Sequence, residues 1–165
     1  MQAAPVTLDR SAATTPACTH AMPYYPDLSE IEYGGVRGLA VGWLAAEQPY
    51  ATGTVSSETF GALVRLLQHP WQPAATAGIH LCPFCRFTGG PSTVDYGGVR
   101  AVMRSAVLVV PSPQCLYVAP SLIAHYVDAH GYAPPNDFGA AVSSCPEMRS
   151  ISYLRSLRKH GVSRR

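Results

Sequence analysis

Apolar positions along the chain change their period several times, and each change predicts an element. Within TVSSETFGALVRLLQHP, Phe60, Leu63, Val64 and Leu67 recur at i, i+3, i+4 and i+7, which gathers them on one helical face. Ser56 is placed to cap that helix and Pro70 to end it, with His69 as a helix-end imidazole. VRGLAVGWL reads as a buried strand carrying Trp43, and GIHL as a short strand leading into CPFC. VRAVM is a further apolar segment. SAVLVV and CLYVAP flank PSPQ as a β-hairpin whose turn holds Pro111 and Pro113. A second helix is expected from Ser121 to Ala129, stopped by Gly131, with Leu122, Ile123, Tyr126 and Val127 on its apolar face. Asn136 is a candidate cap for a short helix, and CPEMRSISYLRSLRKH predicts a last, basic amphipathic one.

Residues 1 to 22 show no sustained period and are rich in Ala, Thr and Pro, which predicts a flexible arm; Cys18 and His20 within it are read as incidental. The expected organisation is therefore an arm over 1–22, an α+β domain over 23–146 and a basic helical tail over 147–165. One pattern occurs twice: IEYGGVRGL at 31–39 and VDYGGVRAV at 94–102. The likeness ends outside those nine positions, so local reuse of a glycine turn entering a strand is the favoured reading. Arg37 and Arg100 lining a shared anion site is the sharper one.

Composition narrows the class. Apolar residues at 47% and charged residues at 13% argue for a folded core rather than disorder, and 165 residues suit one domain. Apolar runs such as Ala106 to Val110 fall far short of the roughly 20 residues of a membrane helix. Five cysteines without a signal-peptide pattern point to reduced or metal-bound thiols and a cytoplasmic protein. The net charge of +2 hides an asymmetry: residues 147–165 sum to +5 and the remainder to −3. A solvated helical tail is the favoured account of it; contact with nucleic acid or an acidic partner is the alternative.

The strongest chemical signal is Cys82 and Cys85 in IHLCPFC together with His125 and His130 in LIAHYVDAHGY. Two thiolates from a tight turn and two imidazoles near a helix end can complete a tetrahedron around zinc. Thirty-nine residues lie between Cys85 and His125, so the site joins distant parts of a domain rather than forming a small independent finger. Histidines at i and i+5 stand about 140° apart on an ideal helix of 100° per residue, so both reach one ion only if the helix tightens or ends near Ala129. His80 and Asp128 are the alternatives, either replacing a ligand or hydrogen-bonding to one. The expected fold is thus a small, mostly antiparallel sheet with three to four helices and an embedded Cys2His2 zinc site.

A catalytic zinc keeps an open position and a nearby carboxylate, for which Asp128 is the only local candidate. The chain carries neither the HxE and PCxxC pattern of nucleobase deaminases nor HExxH. CPFC also looks like a redox dithiol, but no clear βαβ lead-in precedes it, and Gly89, Gly90 and Pro91 interrupt any long helix after it. The leading expectation is a zinc-stabilised binding or interaction module acting on an unknown protein partner. A small metalloenzyme or thiol-redox enzyme is the competing class, and polyanion binding through the tail the third.

The order YYPDL, VGWL, GIHLCPFC and then LYVAPSLIAHYVDAHGYAPPNDFGAAV resembles a bacterial family of small proteins of unknown function, across roughly residues 24 to 142. The resemblance implies that Cys82, Cys85, His125 and His130 matter and that the protein is bacterial and cytoplasmic. It implies no substrate.

Overall fold

The computed structural model describes residues 23–74 and 79–162; the expected arm, with Cys18 and His20, lies outside them. Four strands form the main sheet: β1 (Glu30–Tyr33), β2 (Val36–Ala40), β5 (Val107–Pro111) and β6 (Leu116–Pro120), in the order β1-β2-β6-β5. The two outer pairs are antiparallel hairpins, and β2 runs parallel to β6 with Leu39 opposite Tyr117 and Ala40 opposite Val118. A separate hairpin joins β3 (Thr93–Tyr96) to β4 (Val99–Val102). Four helices complete the α+β fold: α1 (Ser57–Gln68), α2 (Ile123–His130), α3 (Asn136–Ser144) and α4 (Ile151–Lys159).

The repeated YGGVR pattern makes the same local structure twice. Gly34 and Gly35 turn β1 into β2, and Gly97 and Gly98 turn β3 into β4, all four with φ between +56° and +80°. Two consecutive positive φ values are what a two-residue type I′ hairpin requires, and glycine meets them without strain. The pattern is therefore a turn between two strands. The two arginines belong to different sheets: Arg37 faces Glu32 across β1–β2, while exposed Arg100 pairs with Asp95 at 2.7 Å.

β5 and β6 are buried along their whole length, as near-continuous apolar runs should be. Trp43, 2% exposed, packs beneath them and donates its indole N–H to the Val118 carbonyl at 2.8 Å. β5 lies at the sheet edge, yet its backbone is occupied. The Gln72 side chain bonds both the carbonyl and the N–H of Val107, the Tyr153 hydroxyl donates to the Val109 carbonyl at 2.8 Å, and Pro111 has no N–H to leave open.

Several helix expectations hold in place but shift at their ends. α1 follows its predicted face, and the Ser56 hydroxyl accepts from the Thr59 N–H. α2 begins at Ile123 rather than Ser121, because buried Ser121 is held by Ala106 through both its backbone and its hydroxyl. Asn136 is the first residue of α3, with Pro135 in the cap position. Ile79, His80 and Leu81, the described part of GIHL, do not form a strand. His80 makes one backbone bond to Arg104, whose φ of +76° turns the chain away before a ladder can continue. α4 is capped by Ser150 and buries Tyr153 and Leu157 in the main core, so its apolar edge belongs to the body while its basic face stays exposed.

Candidate metal centre

The knuckle that carries the cysteines is held by backbone bonds rather than by secondary structure. The Cys82 N–H donates to the Gly89 carbonyl, Gly89 donates to Cys85, and Cys85 donates to Cys82. Arg104 closes the knuckle at both ends, its Nε on the His80 carbonyl and its Nη1 on the Gly90 carbonyl. Opposite stands the C-terminal turn of α2. The N–H groups of Gly131 and Tyr132 both donate to the Tyr126 carbonyl, i→i−5 and i→i−6 bonds that widen the turn. Widening lowers the rotation per residue, which swings His130 round toward His125. The geometric obstacle posed by an i, i+5 pair is thus met where the helix ends, at His130 and the left-handed Gly131, and not by tightening.

These two segments bring Cys82, Cys85, His125 and His130 together, with all four ligand atoms within 4.8 Å of one another. Cys82 Sγ lies 3.3 Å from His130 Nε2, and Cys85 Sγ lies 3.3 Å from His125 Nε2 and 3.5 Å from His130 Nε2. The two Nε2 atoms are 3.1 Å apart. A tetrahedral ion with bonds of about 2.3 Å to sulfur and about 2.0–2.1 Å to nitrogen gives edges of about 3.5 Å for S–N and about 3.3 Å for N–N. Three S–N spacings and the N–N spacing fall close to those edges, and all six lie within 4.8 Å, so the four side chains could hold one metal ion.

The electrostatics agree. Burial holds the His125 imidazole below its ordinary range, with His130 adding to the effect and Asp128 opposing it; burial alone lowers His130. Neutral imidazoles are the ligating form. Burial pushes the Cys82 thiol up to about 11, which is the reverse of an activated redox thiol and means that metal binding must displace its proton. Cys82 also sits at no helix N-terminus: Leu81 before it belongs to no helix or strand, and Pro83 and Phe84 after it form a turn.

The alternatives occupy other places. His80 is outside the cluster, its ring 6.5 Å from that of Trp43 and its buried Nδ1 without a hydrogen-bond partner. Asp128 is exposed on α2 and also outside the cluster.

Several residues that the sequence did not mark out shape the site. A Cβ on Gly90 would stand 2.9 Å from Cys82 Cβ and 3.2 Å from His125 Nε2. Phe84, between the cysteines, packs its ring against those of Tyr50, Tyr126 and His130. Tyr50 donates its hydroxyl to the His130 carbonyl, and Tyr132, two residues on, is held by both oxygens of Asp27 at 2.8 Å. The Tyr126 hydroxyl is buried with no hydrogen-bond partner, and burial with the nearby Cys82 and Cys85 pushes its pKa well up.

A model of a domain of unknown function, DUF7919, matches residues 23–143. The chain belongs to the DUF7919 family. The matched stretch spans every metal-site residue named above and ends before α4. No curated protein and no solved structure matches the chain. Among the described residues, no helix is long and apolar enough to cross a membrane.

Proposed function

We propose that this DUF7919 protein is a binding or interaction module whose fold is stabilised by one zinc ion. The supporting observation is the convergence of four protein donors, two sulfurs and two imidazole nitrogens, on one tetrahedral position. Cys2His2 is a typical structural zinc set, and four protein ligands leave no coordination position for water or substrate. Cys82, Cys85, His125 and His130 would hold the ion, and bound zinc would cross-link a knuckle lacking helix or strand to the end of α2. Thiolate ligation needs reduced cysteines, which fits the cytoplasm as the compartment.

Native mass spectrometry of protein purified without chelator should find about one zinc per chain, lost on chelation. Cys82→Ser should abolish that stoichiometry and lower the melting temperature by several degrees, since binding energy at a structural site is folding energy. Metal-free wild-type protein, or a variant melting with the wild type, would defeat the reading.

A further inference from the structure

We propose that the exposed face of α4 binds the phosphate backbone of a nucleic acid strand through Arg155, Arg158 and Lys159. Positions 155, 158 and 159 lie three and four apart, so their side chains share one helical face, and all three are exposed. None of them forms an ion pair among the described residues, where the single salt bridge joins Arg100 to Asp95.

The helix that presents them is fixed. Tyr153 anchors its first turn to the Val109 carbonyl, and His160 Nε2 anchors its end by donating to the Ser112 carbonyl at 2.8 Å. The cations therefore stand on a rigid platform. The charge is local, because residues 147–165 carry +5 and residues 1–146 carry −3. Glu30 and Glu32 line the groove beside His160 and bound the footprint on that side.

Two features choose nucleic acid over other anionic partners. A basic amphipathic helix binds a membrane surface by inserting its apolar face, but Tyr153 and Leu157 of α4 are already buried in the protein core. Protein interfaces centre on a desolvated cluster in which Trp, Tyr and Arg pack together; α4 exposes arginines but no aromatic side chain, its one large exposed apolar residue being Ile151 at the first position. Phosphate contacts need cations alone and carry no sequence information. The proposal is independent of the metal centre.

Fluorescence anisotropy with a labelled 20-nucleotide oligouridylate tests it. Three phosphate contacts to a single strand predict that affinity falls about 20-fold between 50 and 200 mM salt. Combined Arg155→Gln, Arg158→Gln and Lys159→Gln should weaken binding at least tenfold at 50 mM salt and flatten that dependence. The same loss of charge through Arg37→Gln, Arg65→Gln and Arg86→Gln should change affinity by less than about twofold, melting curves confirming that both variants fold. Equal weakening by the two sets, no binding by the wild type, or α4-dependent binding only to phosphatidylserine vesicles or polyglutamate would overturn the assignment.

Discussion

At Gly90 a single added carbon reaches the Cys2His2 cluster. Its φ of +83° disfavours any side chain, and a Cβ there would press on Cys82 and His125. Gly98 offers a matched comparison, with φ +77° and nothing within 4 Å of a Cβ. Alanine in the left-handed region costs about 1–2 kcal/mol at either position, but only Gly90→Ala should also loosen the site. Its metal affinity in a competitive chelator titration should drop on the order of tenfold while that of Gly98→Ala stays near wild type; equal affinities would contradict the contact. The Cys2His2 cluster was legible in the sequence because metal chemistry draws on few residue types at recognisable spacings. Gly90, Arg104 and Tyr50 were not, because each acts through where the folded chain places it. Arg104 looks like any surface cation until its guanidinium is seen across the knuckle from two carbonyls.

Among the elements, those that carry their own start, period and stop were readable. α1 has a capping serine, an i, i+3, i+4, i+7 face and a terminating proline, and the β5–β6 hairpin has two apolar runs, although Pro111, expected in the turn, is the last residue of β5 opposite Leu116. The 79–81 segment has strand-like residues, but pairing is decided by its neighbour, and the left-handed Arg104 ends it after one bond. The parallel β2–β6 pair joins segments far apart in sequence, a choice no local pattern encodes. α4 was readable as a basic helix but not as a core element, since its role depends on meeting the β5 edge. That contact is testable: Tyr153→Phe keeps the ring and removes the hydroxyl from Val109, leaving a buried carbonyl unpaired. Urea unfolding should show a loss of about 1–3 kcal/mol; an unchanged midpoint would mean that the hydroxyl contributes nothing to docking.

For the molecule as a whole, the histidines link stability to acidity. Burial lowers His80, His125 and His130 below the ordinary value of 6.5. In the chelated protein the unfolded chain therefore takes up protons more readily than the folded one. The resulting stability is present above about pH 6.5 and is lost as pH falls from there through the lowered folded values. The urea midpoint after chelation should be clearly lower at pH 5.5 than at pH 7.5, whereas an equal or higher midpoint at pH 5.5 would exclude that linkage.

The occupied backbone of β5 bears on how copies of the protein behave together. A bare strand edge is a template on which another chain can add itself, the first step toward aggregates. Here the amide of Gln72 and the phenol of Tyr153 fill the places an incoming strand would take, and Pro111 denies it a donor. Two side chains from outside the sheet thus act as its solubility guard, and damage to either would first be seen as a protein that self-associates.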